Sequence, residues 1–176
     1  LNSARDIEDE LVAAQITSVS HDPARHVVML DKGSIDGLRE GQPVLGAEGL
    51  MGQIVMVGQH NSRAVLITDS AHALPVQVNR SGLRAIAEGG GRIDQLVIRH
   101  LAATTDIRVG DLLVTSGLGG RFPHGYPVAR VTDVTISPGD AFAEVNAAPS
   151  SALDRGRFVL VVARESADPI QPGSQL

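Results

Sequence analysis

The pattern of apolar and polar positions after residue 14 is that of β-strands. Leu74, Val76 and Val78 recur at every second position, so one face of this segment is expected to be buried. The run 64–67 is continuously apolar, which predicts a strand covered on both faces. Twelve segments are predicted to be strands: 15–20, 25–31, 43–46, 52–58, 63–68, 74–79, 83–88, 95–101, 111–115, 128–136, 141–147 and 157–163. Short strands at this spacing predict an all-β fold, either a sandwich or barrels.

The first fourteen residues follow a helical period instead. Ala4, Ile7, Leu11 and Ala14 lie on one seam, and acidic residues occupy the other faces. The pattern predicts a helix over 1–14, either a short solvated amphipathic helix or the end of a longer coiled coil. In the second interpretation, Ile7 and Leu11 contribute to self-association.

A weak internal repeat organises the β-rich part. LREGQPVLGAEGLMGQIVMV (38–57) resembles IRVGDLLVTSGLGGRFPHGYPVARV (107–131). Both begin with apolar-Arg-x-Gly and continue with a strand, a Gly-Leu-x-Gly turn and a second strand. The repeat predicts two similar β-modules. Modules of this size are marginal alone and are expected to pack against each other.

Charge and composition exclude several classes of partner. The net charge is −5, and the fourteen arginines and Lys32 are scattered, so a nucleic-acid surface is not expected. Four aromatic residues and no tryptophan argue against stacking on bases or on cell-wall polysaccharide. The absence of cysteine excludes disulfides and thiolate chemistry. The longest apolar run, 158–163, is too short for a membrane-spanning helix, and no signal-peptide pattern opens the chain.

The stretch VTSGLGGRFPHGYPVARV (114–131) contains a serine, a glycine-rich turn and a histidine. A phosphate-binding loop requires a helix after its glycines, and Pro123 and Pro127 interrupt the residues that follow. Ser116 lacks the Gly-x-Ser-x-Gly context of a hydrolase nucleophile. We therefore expect the hydroxyls of Thr115 and Ser116 to close a β-turn.

Catalytic and metal-binding alternatives have little support. A cryptic two-barrel serine hydrolase is kept as the alternative function, with Ser116 as its nucleophile. The candidate partners for that serine stand in no catalytic sequence context: His60, His72, His100, Asp69 and Asp106. His21, Asp22 and His26 lack the spacing of metal ligands. We predict a non-catalytic protein with no cofactor and no metal, whose function lies in its surfaces.

Two surface features are candidates for partner binding. Phe122 and Tyr126 flank the turn within 114–131 and either pin that loop against its own module or anchor a partner. An unpaired β-edge could also recruit a strand from another chain.

A set of turn motifs carries a family resemblance. The motifs are Asp-Lys-Gly-Ser at 31–34, Asp36-Gly37, Gly49-Leu50-x-Gly52, Gly110-Asp111, Thr-Ser-Gly-Leu-Gly-Gly at 115–120 and Phe122-Pro123-x-Gly125. Taken together and in this order, over about residues 15–163, they resemble the periplasmic region of the rod shape-determining MreC family. The resemblance implies structural turn glycines at eight positions: Gly33, Gly37, Gly49, Gly52, Gly110, Gly117, Gly120 and Gly125.

The resemblance implies two small six-stranded β-barrels of trypsin-like architecture after a short N-terminal helix. The expected domains are the end of a coiled-coil helix over 1–14, a first barrel over 15–72, a second barrel over 73–163 and a disordered tail over 164–176. Residues 141–163 are a possible addition to the first barrel. Whether the last strand belongs to the second barrel or returns to the first is left open.

The resemblance also implies a function. Members of the family are non-catalytic scaffolds of the bacterial cell-elongation machinery that bind and activate the class B penicillin-binding transpeptidase working with RodA. They connect with MreD, RodZ and MreB, and they self-associate as dimers or larger assemblies. We accordingly expect a periplasmic region of a longer protein, anchored to the inner membrane by a transmembrane helix. The turn motifs imply no partner-contact residue.

Overall fold

Twelve β-strands account for most of the structure. The computed structural model describes residues 10–164, without the side chain of Arg164. The strands are β1 (Glu10–Val19), β2 (Val27–Leu30), β3 (Pro43–Leu45), β4 (Leu50–Val57), β5 (Ser62–Leu66), β6 (Ala73–Val78), β7 (Arg84–Gly89), β8 (Leu96–Ala102), β9 (Leu112–Thr115), β10 (Pro127–Thr135), β11 (Phe142–Pro149) and β12 (Phe158–Arg164). Each predicted strand corresponds to one of them, and only the start of β1 differs by more than two residues. Between residues 10 and 164, no helix has the length and apolar character needed to cross a membrane.

Hydrogen bonding closes these strands into two six-stranded antiparallel barrels. The order around the first barrel is β1-β12-β3-β4-β5-β2, and the order around the second is β10-β11-β8-β7-β6-β9. The predicted all-β fold with two six-stranded barrels is confirmed. The last strand, β12, pairs with β1 and β3 and so returns to the first barrel, whereas β11 pairs with β8 and β10 in the second.

Alternation places one face of each strand in a barrel interior. Leu74, Val76 and Val78 are fully buried, as their spacing predicts. The run 64–67 departs from its prediction, because Val65 lies on the outer face of β5 and is only half-buried. Each large aliphatic side chain buried in this way stabilises the fold by roughly 1.5–3 kcal/mol. The largest fully buried ones include Leu30, Leu50, Ile54 and Leu66 in the first barrel and Leu74, Leu96, Ile98 and Leu113 in the second.

The predicted helix over 1–14 is wrong for residues 10–14, which form the first half of β1. Val12, Ala14 and Ile16 face inward at period two, and β1 pairs with β12 from Glu10 to Gln15. Pairing along the whole strand outweighs a helical seam of less than two heptads. Residues 1–9, including Ile7, and the predicted tail after 164 lie outside the described residues.

Closure of the barrels also overturns the prediction of an unpaired β-edge. Every strand between residues 10 and 164 has a hydrogen-bonded neighbour on both sides. Closed barrels have no edge strand to which a partner could add. A partner must therefore bind side-chain surfaces or loops of these barrels.

Two of the eight predicted turn glycines have a different structural role. Gly52 lies within β4, where a Cβ atom would overlap the carbonyl oxygen of Val65 on β5. Gly33 has an extended backbone (φ −143°) and packs against the β4–β5 turn, where a Cβ would overlap the carbonyl oxygen of Gly58. The others lie at positive φ: Gly37, Gly49, Gly110, Gly117, Gly120 and Gly125.

The two barrels contact each other through the β3–β4 turn of the first. The hydroxyl of Ser151, which follows β11, accepts a hydrogen bond from the Glu48 N–H and donates one to the Gly49 carbonyl, both at 3.1 Å. A Cβ at Gly49 would overlap the carbonyl oxygen of Pro127 on β10. The turn thus sits directly on the backbone of the second barrel.

Candidate functional site

The stretch 114–131 forms a structural turn of the second barrel. The Thr115 hydroxyl donates to the Pro123 carbonyl and accepts from the Tyr126 N–H at 2.9 Å. The Ser116 hydroxyl accepts from the Leu118 N–H at 3.3 Å. Only a three-residue 3₁₀ turn, Leu118–Gly120, follows the serine, so no helix dipole faces an anion here.

The groups proposed for a catalytic triad are not brought together. Among the described residues, the buried Ser116 hydroxyl makes no hydrogen bond with a histidine. The Asp69 carboxylate accepts instead from the backbone N–H groups of His26 at 2.8 Å and Ala71 at 2.9 Å. Asp106 pairs with Arg80. The geometry therefore gives the hydrolase alternative no support.

The histidine cluster at 21–26 does not form a metal site. His26 uses its ring nitrogens on the Thr68 hydroxyl at 2.7 Å and the Pro23 carbonyl at 3.0 Å. Asp22 accepts from the Ala24 N–H in its own turn. No group of three potential metal ligands occurs in the part of the chain that the structure describes.

A second charged cluster fastens the loops of the second barrel. Arg80 contacts Asp111 through Nε and Asp106 through Nη2, each at 2.9 Å. Hydrogen bonds from this guanidinium lower the pKa of both carboxyls and raise the pKa of Arg80. Asp111 also accepts from the Arg108 N–H at 2.8 Å. The cluster joins the β6–β7 turn to the segment before β9, and its role is structural.

Phe122 is not an exposed anchor, contrary to the partner-binding interpretation. Its side chain is 4% exposed and meets the His72 ring edge-on, with ring centroids 6.4 Å apart and planes at 72°. The contact fixes the 116–126 loop against residues 67–72, the linker that joins β5 of the first barrel to β6 of the second. Tyr126 is half-buried, and its role in partner binding stays a prediction.

A groove of about 760 Å³ lies on the outer face of the first barrel. It runs over β1, β2, β4 and β5 and ends at the linker between the barrels. We call it the barrel groove. Its lining residues are Ser18, Val19, Ser20, Asp22, Arg25, Val27, Met29, Gln53, Val55, Met56, Arg63, Val65, Asp69, Ala71 and His72.

The register of three neighbouring strands builds the centre of this groove. Arg63 on β5 stands opposite Met29 on β2 and Met56 on β4. A bulge in β4 between Ile54 and Met56 turns two successive residues outward, so Val55 and the 54% exposed Met56 both face solvent. The result is an apolar surface with a guanidinium at its centre.

Buried polar groups form the end of the groove at the linker. Asp69 is fully buried, and Arg25 Nε lies 3.4 Å from its carboxylate. Burial lowers the pKa of His72 to about 4; the nearby Asp69 carboxylate opposes this shift and Arg121 adds to it. His72 is therefore neutral at pH 7, and its Nδ1 has no hydrogen-bond partner among the described residues.

A second groove of about 710 Å³ continues the first toward the second barrel. Both are lined by Gln53 and Val55, and the second extends to Arg39 and to Arg121 of the 116–126 loop. Arg39, Arg63 and Arg121 make no ion pair with any residue between 10 and 164. The joined grooves are lined by these three arginines and Arg25, and by the acids Asp22, Glu40 and Asp69, so they carry a small local excess of positive charge on a chain whose net charge is −5.

Comparison with known proteins identifies the family. The model of the family described as "Rod shape-determining protein MreC, barrel core" matches residues 16–163. The chain belongs to the MreC family. This confirms the resemblance carried by the turn motifs. The family is named for cell-shape determination and not for an enzymatic activity, in agreement with the predicted non-catalytic character.

Curated relatives support the assignment to MreC. The Escherichia coli cell shape-determining protein MreC is 46% identical over 168 residues, which is 94% of this chain and 46% of that protein. The Haemophilus influenzae protein of the same name is 43% identical over 162 residues, covering 92% of this chain and 46% of that protein. The chain thus spans about half the length of these relatives.

Solved MreC structures share the two-barrel architecture. MreC from Pseudomonas aeruginosa is 50% identical and superposes with a TM-score of 0.84, covering 87% of this chain and 99% of that one. A chain of the complex between penicillin-binding protein PBP2 and MreC from Helicobacter pylori superposes with a TM-score of 0.62. It is 21% identical, with 87% of this chain and 99% of that chain covered, and shows the common fold.

Proposed function

We propose that this chain is the barrel region of a non-catalytic scaffold that binds and activates the class B penicillin-binding transpeptidase of cell elongation. The MreC family match over residues 16–163 carries the proposal. The Helicobacter pylori complex of PBP2 with MreC supplies the kind of partner. The joined grooves supply a large side-chain surface, as closed barrels require of a docking partner.

The proposal places this region in the periplasm, where the transpeptidase acts on peptidoglycan. In the whole protein we place it beyond an inner-membrane anchor, with connections to RodA, MreD, RodZ and MreB. These connections belong to a protein about twice as long as this chain, as its relatives are.

Direct binding tests the proposed function. We expect the immobilised chain to bind the periplasmic region of the class B transpeptidase from the same cell, saturably and with a Kd of about 10 µM or tighter. Biolayer interferometry measures this affinity, and a class A penicillin-binding protein serves as the control. No saturable binding, or equal binding to both enzymes, contradicts the proposal.

Self-association belongs to the same proposal and has a candidate surface of its own. Phe158 and Leu160 on β12 are exposed, Phe158 by 73%, and they stand opposite Gln15 and Ala13 on β1. Leu11, predicted to contribute to self-association, is 48% exposed on the same strand β1. We propose that a second copy of the chain covers this outer stripe of β1 and β12.

Sedimentation velocity checks this surface. We expect the weight-average sedimentation coefficient to rise with concentration for the unmodified chain, and Phe158→Asp with Leu160→Asp to abolish the rise, because a carboxylate in an apolar contact is costly to desolvate. Phe142→Asp, at an aromatic that is 63% exposed on β11, is the matched control and should behave like the unmodified chain. A monomer at all concentrations, or a double variant that still associates, overturns the proposed surface.

A further inference from the structure

The barrel groove combines an apolar surface with a central cation, Arg63; the other arginine in its lining, Arg25, pairs with Asp69 at the end of the groove. Met29 and Met56 flank Arg63 in the register of β2, β5 and β4. Val27, Val55 and Val65 extend the apolar surface along the same three strands. Methionine side chains adapt to irregular apolar shapes and are common where a protein accepts a flexible segment.

We infer that this groove receives an extended apolar polypeptide segment that carries a carboxylate, and that Arg63 is the residue that pairs with that carboxylate. The inference rests on the proposed binding of the transpeptidase. It adds the chemistry of the contacted segment and the residue that anchors it.

The need for a carboxylate follows from the surroundings of Arg63. The guanidinium makes no ion pair with any residue between 10 and 164. Neither acid that lines the groove pairs with Arg63: Asp69 pairs with Arg25 and accepts from backbone N–H groups, and Asp22 accepts from the Ala24 N–H of its own turn. A purely apolar occupant would bury Arg63 without a partner, which is strongly unfavourable. An occupant with a carboxylate satisfies the cation and keeps the apolar contacts.

The shape and the charge distribution favour a polypeptide over an anionic membrane surface. Recognition of anionic lipid typically uses clusters of about four to eight Lys or Arg residues. Here Arg39, Arg63 and Arg121 are distributed along two joined grooves that cross from one barrel to the other. An extended segment that follows the joined grooves would meet Arg63 first and then the arginines near the second barrel.

Charge reversal at Arg63 tests the inference. We expect Arg63→Glu to weaken binding of the class B transpeptidase by about tenfold or more, because it places two like charges against each other in the interface. Arg63→Lys should weaken binding less, because lysine keeps the positive charge. Arg84→Glu is the matched control, since Arg84 is an exposed arginine on β7 that also lacks an ion pair among the described residues. It should change the affinity by less than about twofold. Circular dichroism verifies that each variant retains the strand content of the unmodified chain.

Cross-linking identifies the chemistry of the occupant. A photoreactive benzoyl-phenylalanine at Met56 should capture a transpeptidase peptide with an aspartate or glutamate among apolar residues. A captured peptide without a carboxylate overturns the inference, and so does an Arg63→Glu variant that binds normally, although the proposed function then stands. If the unmodified chain does not bind the transpeptidase, the proposed function and this inference both fall.

Flotation with phosphatidylglycerol vesicles tests whether the groove binds lipid instead. If Arg63→Glu loses vesicle binding but keeps transpeptidase binding, the groove is assigned to lipid and the inference is overturned.

Discussion

Gly52→Ala is expected to destabilise the chain by about 3 kcal/mol or more, a large fraction of the stability of a domain of this size. The backbone of β4 passes so close to β5 that a Cβ atom at Gly52 would overlap the carbonyl oxygen of Val65. The obstacle is backbone in the middle of a closed barrel, paired with β3 on one side and with β5 on the other. Neither neighbour can move away without breaking the hydrogen bonds that close the barrel.

A second glycine provides the control for this substitution. Gly90 follows β7, is exposed, and has open space around it, the nearest atom to an added Cβ being Val97 Cγ2 at 3.9 Å. Gly90→Ala should change the free energy of unfolding by less than about 1 kcal/mol. Urea unfolding followed by far-ultraviolet circular dichroism measures both variants. If Gly52→Ala unfolds at the same urea concentration as Gly90→Ala, the close approach of β4 to β5 is wrong.

Strand positions could be predicted because small closed barrels impose a simple rule on the sequence. One face of each strand is filled by side chains, so alternating residues such as Leu74, Val76 and Val78 report the interior directly. The internal repeat was equally informative, because its copies form the neighbouring pairs β3–β4 and β9–β10 in the two barrels. Strand alternation and the repeat can both be recognised from residues that are close together in the sequence.

The predictions that failed depended on contacts between distant parts of the chain. Residues 10–14 match a helical period, but their strand partner is β12, about 150 residues later in the chain. Gly52 stands in a Gly-Leu-x-Gly motif that reads as a turn, yet its requirement for glycine comes from the backbone of β5. Phe122 had two interpretations, and its burial against His72, a contact with a residue 50 positions earlier in the chain, supports the one in which it pins the loop and not the one in which it anchors a partner.

The barrel groove could not be found in the sequence for the same reason. Its centre is a row of residues from β2, β5 and β4, which are neighbours only in the closed barrel. Alternation along β4 would place only one of the neighbours Val55 and Met56 outward, whereas the bulge turns both of them outward. The local signal is the apolar run 54–57 at the end of β4, which fits a strand buried on both faces as well as a strand with an exposed apolar face.

The linker that ends the groove also holds the barrels together. Asp69 binds the backbone at the start of β2, the Thr68 carbonyl accepts the Gly91 N–H of the second barrel, and His72 packs against Phe122. A segment bound in the joined grooves would contact both sides of this junction. The relative position of the barrels is therefore part of the proposed binding surface, and anything that weakens the linker should weaken binding.

Acidification is expected to weaken this junction through His72. Its pKa is lowered from 6.5 to about 4 in the folded chain, chiefly because the ring is buried, so the unfolded chain binds the proton more tightly. Stability from this residue is complete above pH 6.5 and is lost as the pH falls toward 4, where the folded form can also accept the proton. Between pH 7 and pH 4.5 the loss attributable to His72 is about 2 kcal/mol.

Replacing the imidazole isolates this contribution. His72→Leu should lose about 2 kcal/mol less stability than the unmodified chain between pH 7 and pH 4.5, measured by urea unfolding at both values. His60→Leu, at an exposed histidine in the β4–β5 turn, should keep the full pH dependence. The difference between the two variants cancels the carboxylates that titrate in the same range, because those are common to both chains. Equal pH dependence in the two variants would mean that His72 finds a partner for its proton in the folded chain, and the junction between the barrels would then tolerate acid.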